Sequence, residues 1–536
     1  LELKLEVLLL TKKNSYSLLS KSKNNSMSSV RVRFAPSPTG ALHIGGVRTA
    51  LYNYLLAQKN EGTFILRIED TDQARYVPGA EDYIKESLKW LGIEPTEGPD
   101  IGGDFGPYRQ SERKEMYGEF AQQLIDSGHA YYAFDTEEEL TALRSSYEDR
   151  KEIFKYDSST RDQLKNSLTL PPEAVQRRLE SDEPFTIRLK IPRDEEITFN
   201  DLIRGEVTFS SNELDDKIML KGDGMPTYHL ANIVDDHFMK ISHVIRGEEW
   251  LSSTPHHVYL YRFLGWEATM PSFAHLPLIL KPTGKGKLGK RDGAKFGFPV
   301  FPLSWKGATA EDSFEGFREF GFDSAAVLNF LAFLGWNPGT EQEIFSLDEL
   351  SQAFSLDRIG KSGAKFDFEK AKWFNQQYLM SKSGAALAQQ VQPLAEAAGY
   401  EVSKEYLARV CDMMKERVVF LPEFLETGYY FFEPVKDYDE KTARKRWKPE
   451  RQPQFEELAQ VIQDTQPFEA STIEANIKSF MEKHGFGFGD VLPILRIALS
   501  GTMKGPSVFE MIEVLGQAIV VDRLHKAYTH FNDLNS

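Results

Sequence analysis

Residues 30–68 constrain the fold of this chain more than any other stretch. Val30, Val32 and Phe34 alternate with Arg31 and Arg33, a period of two that predicts a strand. Pro36, Pro38 and Gly40 break it. Val47, Leu51, Tyr54 and Leu55 then fall at helical spacing, and Thr63 to Ile68, rich in β-branched and aromatic residues, reads as a second strand. Strand, loop, helix, strand is a βαβ unit. Parallel strands need such a crossover, so an open parallel sheet is expected. Ligands of such sheets sit outside the carboxyl ends of the strands.

The chain has 536 residues, more than one core usually supports, so several domains are expected. Hydrophobic residues at 41% and charged residues at 27% exclude a mostly disordered chain. No apolar run is long enough to cross a bilayer, which argues against a membrane partner. Cys411 is the only cysteine, so a disulfide framework and a cysteine-built zinc site are excluded, and a reducing, cytoplasmic compartment is expected. The net charge of −16 does not exclude nucleic acid, because phosphate binding needs a local basic patch and not a basic total.

Residues 1–29 read as a disordered extension, with Met27 standing where the protein would begin. An atypical transit peptide is the alternative, poorly matched by Glu2, Glu6 and the lack of arginine. The stretch 108–225 mixes helices with short strands (Phe185 to Ile191, Glu206 to Phe209) and looks like an insertion. The βα rhythm returns with a strand at Ile241 to Arg246. A helix follows, with Thr254 as N-cap, Pro255 in its first turn and Gly265 at its end. Phe273 to Leu280 is another strand candidate. From Asp323 onward almost everything reads as helix: Ala325 to Gly335, Lys404 to Phe420, Thr472 to His484, Val491 to Leu499 and Pro506 to Leu515. No repeat at a solenoid period is present.

Chemistry concentrates in a few segments. Arg33-Phe-Ala-Pro-Ser-Pro-Thr-Gly40, running into His43-Ile-Gly-Gly46, lies between a strand and a helix, where free N–H groups attract phosphate and glycines admit a close ligand. Alone, the prolines and glycines would only shape a turn. Lys285 to Gly293 sets cations on a glycine-rich loop that can close over a triphosphate; alone it is equally a solvated basic loop. Gly284, Gly289 and Lys290 nearly satisfy the P-loop pattern, but Arg291 stands where Ser or Thr must hold Mg²⁺, and Asp292-Gly293 is a poor helix start. Arg33 and Arg246 have no acidic neighbour in sequence and can clamp a small acid's carboxylate, near Ser37, Glu69, Tyr228, Asn232 and Glu249. Lys441 to Arg451, with Trp447, reads as a solvated linker, or else as a stretch that meets RNA phosphates and stacks a base.

These residues resemble a known family. Arg33 to Gly40 with His43-Ile-Gly-Gly46 is similar to the first signature of class I aminoacyl-tRNA synthetases, and Lys287-Leu-Gly-Lys-Arg291 to the second. Arg67-Ile-Glu-Asp-Thr-Asp72, Gly106 to Arg113, Pro226 to Asn232, Asp235-Asp-His237 and Val244 to Trp250 resemble the bacterial-type glutamyl-tRNA synthetases in particular. The likeness is strong through Trp373 and general beyond it.

The resemblance implies an α/β Rossmann-type catalytic domain (30–107 and 226–280) split by an inserted α+β acceptor-binding domain (108–225). A stem-contact region carrying the lysine loop (281–375) and an all-α anticodon-binding region (376–536) would follow. It implies that ATP, with Mg²⁺, and L-glutamate form glutamyl-adenylate, and that glutamate then passes to the terminal adenosine of tRNA(Glu). A monomer is expected. Carried over position by position, glutamate contacts fall on Arg33, Ala35, Ser37, Glu69, Tyr228, Asn232 and Arg246, with Arg246 pairing the side-chain carboxylate. ATP contacts fall on Thr39, Gly40, His43, Gly45, Gly46, Glu249 and Lys290, and the catalytic groups are His43, Lys287 and Lys290.

Two positions depart from the signatures: Gly46 replaces a second histidine, and Gly289 replaces a serine, which removes a hydroxyl and loosens the loop. Neither change deletes a charge. Some relatives hold zinc in the insertion through cysteines; with Cys411 elsewhere, none is expected here. The sister glutaminyl enzyme lacks an arginine at 246, and glutamine could not neutralise that charge once buried. A non-discriminating enzyme that also charges glutamine tRNA stays open.

Overall fold

The computed structural model describes residues 29–181, 183–307 and 309–535. The extension expected over 1–29 lies outside them except for its last position. β1 (Arg31–Phe34) pairs in parallel with β2 (Thr63–Leu66), Val32 opposite Phe64, and the helix Ile44–Lys59 crosses between them. Val32, Arg33 and Phe34 are all buried. The alternation in β1 therefore does not separate a wet face from a dry one. Parallel strands are covered on both sides, and Arg33 is taken inside because the Asp236 carboxylate meets it there.

Within the inserted segment lie β3 (Ala130–Ala133), β4 (Thr186–Leu189), β5 (Glu196–Asp201), β6 (Gly205–Ser210) and β7 (Ile218–Leu220). β3, β4 and β7 form their own antiparallel sheet. β5 and β6 do not join it. They make a hairpin that hydrogen-bonds onto the main sheet through β9 (Ser272–Leu276), itself parallel to β8 (His243–Gly247). The main sheet thus runs β2–β1–β8–β9–β5–β6. The chain moves outward from β1 to β2 and returns on the other side of β1 at β8, so a crevice opens at the carboxyl ends of β1 and β8.

The strand expected over Phe273 to Leu280 is divided at Pro277, which has no N–H to continue a ladder. β10 (Ile279–Leu280) turns away and pairs in parallel with β11 (Ala364–Lys365). The helix Thr254–Phe263 carries Pro255 in its first turn as expected, and Gly265 follows its end at φ +74°. Thr254 is not its N-cap. A 3-10 segment, Glu248–Ser253, runs straight into the helix, and the Thr254 hydroxyl is occupied by Arg246.

Beyond β11 the described chain is helical. One core continues from the main sheet to Tyr378; a second begins at Leu379 and gathers Leu387, Val410, Phe455, Leu495 and Phe531. The helix expected over Lys404 to Phe420 stops at Met414. The Glu423 carboxylate accepts the N–H groups of Val419 and Phe420 at 2.6 and 3.2 Å, which starts a new turn there. Lys441 to Arg451 is not a solvated linker. Its first part is the helix Glu440–Arg446, and Trp447 is 2% exposed, stacked on Tyr528 and donating its indole N–H to Asn532. Trp447 has no free face for a base.

Candidate active site

The crevice holds a cavity of about 720 Å³. Arg33, Ala35, Ser37, Thr39, His43, Gly45, Gly46, Glu69, Tyr228, Asn232, Arg246, Glu249, Lys287 and Lys290 all line it. Gly40 does not, yet it shapes the meeting of the two loops. It adopts φ +130°, which L side chains rarely reach, and a β-carbon there would lie 3.7 Å from Lys290 Nζ. The loop after β1 is held by backbone bonds that extend the β1–β2 ladder: Arg67 N–H to Phe34 O at 2.9 Å and Glu69 N–H to Pro36 O at 3.0 Å. That ladder brings Glu69 beside Ser37.

Under the cavity floor lies a network of buried charges. Asp236 accepts from Arg33 Nε at 3.0 Å and from Arg67 Nη1 at 2.7 Å. Glu69 Oε1 accepts from Arg67 Nη2 and from Asn232 Nδ2, each at 3.0 Å. Asp235 accepts from Arg113 Nε at 2.7 Å, Gln110 at 2.8 Å and the Tyr117 hydroxyl at 3.0 Å. Arg33, Arg67 and Arg113 thus balance Glu69, Asp235 and Asp236. Burial alone would raise Asp236, but the two guanidinium groups hold it below the usual carboxylate range. For Glu69 burial wins over Arg67 and Arg33, and its carboxyl is raised. The Asn232 amide oxygen is buried without a partner among the described residues.

Arg246 stands outside this balance. It is 5% exposed, and no carboxylate touches it among the described residues. Nε donates to His275 Nε2 at 3.0 Å, Nη1 to the Tyr228 hydroxyl at 2.6 Å, and Nη2 to the Thr254 hydroxyl at 2.9 Å and the Trp250 carbonyl at 3.3 Å. Every partner is uncharged. Burial lowers its affinity for the proton, but a guanidinium keeps its charge at neutral pH. An anion placed beside a buried cation with only neutral neighbours is strongly favoured.

On the other side of the cavity, His43 caps the helix Ile44–Lys59. Its Nδ1 accepts the Gly45 N–H at 3.1 Å. Burial, with Lys290 and Lys287 nearby, lowers its pKa to about 4, so the ring is neutral and its proton sits on Nε2, which has no partner among the described residues. That donor lies at the positive end of a helix, where an anion is favoured. Lys287 pairs with Glu249 at 2.7 Å. Leu288, 1% exposed, anchors the loop between them and Lys290. At Gly289 the loop is tied down: its N–H reaches Asp292 Oδ2 at 2.7 Å, and Asp292 also holds Lys281 at 3.0 Å. Contrary to expectation, a one-turn helix, Asp292–Phe296, does begin here. At Gly46 a β-carbon would come within 2.5 Å of Leu42 Cδ1, so this backbone accommodates glycine as it stands.

Arg67 and Asp236 lie within the motifs above without being candidates on their own, whereas Asp201, His275 and His257, which is 3.4 Å from Arg246 Nη1 through its Nδ1, lie outside every motif. The decisive pairings are remote in sequence: Arg33 and Asp236 are 203 residues apart and His275 and Asp201 are 74 apart. Only the lack of an acidic residue beside Arg33 hinted that its counter-charge comes from elsewhere. His237, by contrast, is turned away from the cavity and stacks on Trp266 at 3.9 Å.

Residues 29–373 match the catalytic domain of class I tRNA synthetases (E and Q), and residues 386–528 match an anticodon binding domain. A glutamate–tRNA ligase of Parabacteroides distasonis is 54% identical over 93% of this chain and 98% of its own length. One of Flavobacterium johnsoniae is 53% identical over the same shares. The crystal structure of a glutamate tRNA ligase from Elizabethkingia meningosepticum in complex with its amino acid superposes with a TM-score of 0.89 at 48% identity, covering 94% of this chain and 99% of that one. The catalytic-domain match spans the main sheet and both loops of the cavity, and the anticodon-domain match spans most of the helical body that follows; the chain belongs to the glutamate- and glutamine-type class I tRNA synthetases.

Proposed function

We propose that the protein is a glutamate–tRNA ligase. It would join L-glutamate and ATP into glutamyl-adenylate, release pyrophosphate, and pass glutamate to the 3′-terminal adenosine of tRNA(Glu). The observation that carries this reading is Arg246, a buried cation on the amino-acid side of the cavity whose contacts are all uncharged; Arg48, also buried at the cavity, is met instead by the Leu334 and Pro277 carbonyls. A side-chain carboxylate completes it; a side-chain amide leaves it unpaired, at a cost of about 3–5 kcal/mol. The α-ammonium of the same substrate suits Glu69, whose bonds from Arg67 and Asn232 both go to Oε1, together with the unpartnered Asn232 oxygen. Arg33, Ala35, Ser37 and Tyr228 complete the amino-acid side.

ATP, brought with its Mg²⁺, occupies the helix N-terminus. His43 donates from Nε2 to a phosphate oxygen, and Thr39, Gly40, Gly45 and Gly46 allow close approach. Lys290 offsets charge as pyrophosphate leaves, and Lys287, held by Glu249, flanks it. No covalent enzyme intermediate is needed; positioning and fixed charge do the work. Segment 108–225 would bind the acceptor end, 281–375 the stem, and 376–536 the anticodon. No zinc takes part, and the enzyme acts as a cytoplasmic monomer.

ATP–pyrophosphate exchange in the presence of the cognate tRNA tests the reading. Exchange should depend on glutamate. Exchange with glutamine but not glutamate would move the assignment to the sister enzyme. Charging of purified glutamate and glutamine tRNAs, side by side, decides between a discriminating and a non-discriminating ligase.

A further inference from the structure

The inference below rests on reading Arg246 as the group that meets the substrate's side-chain carboxylate. Arginine offers only donors, so His275 Nε2, 3.0 Å from Arg246 Nε, must accept. The imidazole proton is then on Nδ1, which lies 2.6 Å from Asp201 Oδ2. Both side chains are 0% exposed. Asp201 is itself fixed: its Oδ1 accepts the N–H groups of Ile203 at 2.9 Å and Arg204 at 2.8 Å, and its Oδ2 the backbone N–H of His275 at 3.1 Å. Burial alone would raise Asp201, but these bonds, led by that of His275, hold it below the usual range and keep it ionised.

A carboxylate in contact with Arg246 would cancel its charge and close the site to an acidic substrate. An imidazole between the two fixes the guanidinium plane through one hydrogen bond and leaves the cation without a charged neighbour in contact. We propose that Asp201 and His275 are positioning residues for amino-acid selection: Asp201 locks one tautomer and one ring orientation of His275, and His275 holds Arg246 where a substrate carboxylate meets it. Asp201 ends β5, so the selecting arginine is anchored by the inserted segment.

Asp201→Asn keeps the side chain's shape and an oxygen for the N–H groups of Ile203 and Arg204, but turns an N–H toward His275. The imidazole proton must then move to Nε2, where it opposes the N–H of Arg246. KM for glutamate should rise about tenfold or more, with KM for ATP within about twofold and the preference for glutamate over glutamine reduced. A purely structural role would instead raise KM for ATP together with that for glutamate and leave the preference for glutamate over glutamine unchanged.

Arg246→Ala, measured in parallel, separates the two ideas. If it leaves KM for glutamate unchanged, the reading of Arg246 falls. If it raises KM but neither Asp201→Asn nor His275→Ala does, Arg246 keeps its role and the proposed anchoring is wrong. Should Asp201→Asn fail to fold, His275→Gln against His275→Ala gives the same decision: glutamine should stay near wild type, alanine should lose glutamate affinity, and equal losses of glutamate and ATP use in both would overturn the proposal.

Discussion

The two halves of the molecule are built on different terms. From Arg33 to Asn375 the interior is laced with buried charge and hydrogen-bonding groups, whereas past Leu379 the buried polar residues among those described are Thr465, Ser500 and Arg523. The helical half is held by aromatic and aliphatic packing, Trp447 on Tyr528 and Phe455 among them. The catalytic half gives up such simplicity because its cavity must present fixed charges, and each one needs a partner or a substrate. The difference teaches where function sits. In the first half it is inside, and geometry exposes it. In the second the described interior is almost wholly apolar packing, with Arg523 its one buried charge among the described residues.

That division can be broken by experiment. Trp447→Ala should cost about 3–5 kcal/mol of stability, read by denaturant unfolding, and leave KM for ATP unchanged at a temperature where the variant is folded. A changed KM for ATP would mean that the two halves are not separable in this way. Lys290→Ala should do the reverse. Adenylate formation should slow on the order of 10²-fold, with unfolding and tRNA binding nearly intact; loss of tRNA binding would make that loop an RNA contact.

The smallest effect sharpens the picture of the cavity. His43 has its pKa lowered to about 4 by burial and by the nearby lysines. Its neutral form is favoured in the folded protein, so its contribution to stability is complete above about pH 6.5 and is lost as pH falls toward 4. The Nε2 donor persists over the same span. kcat/KM for ATP should therefore show no inflection near pH 6.5, and one appearing there would mean that a charged imidazole binds the phosphates.

Much of the fold was legible because βαβ rhythm, proline and glycine breaks and helical spacing are local signals. The phosphate side of the cavity was legible for the same reason: His43 and its glycines fall at one strand–helix junction. The amino-acid side was legible only as a list of candidates. Whether Arg33 and Arg246 were surface ion pairs or buried clamps depended on Asp236 and on the lack of a carboxylate in contact with Arg246 among the described residues, and only folding reveals either. Thr254 looked like a helix cap because caps are written in sequence, while its bond to Arg246 is not. Trp447 among six basic neighbours suggested an RNA-facing linker; burial of its ring against Tyr528 is a long-range fact. The subdivision of the middle segment was opaque too, since β4 and β5 look alike locally and part company only in the strands they find.

The β5–β6 hairpin makes residues 108–225 something other than a cassette that can be cut out. Excision would strip β9 of its outer neighbour, bare Phe273 and leave a raw sheet edge open to other chains. A shortened protein of this design would need a new border strand before it could be trusted to stay soluble.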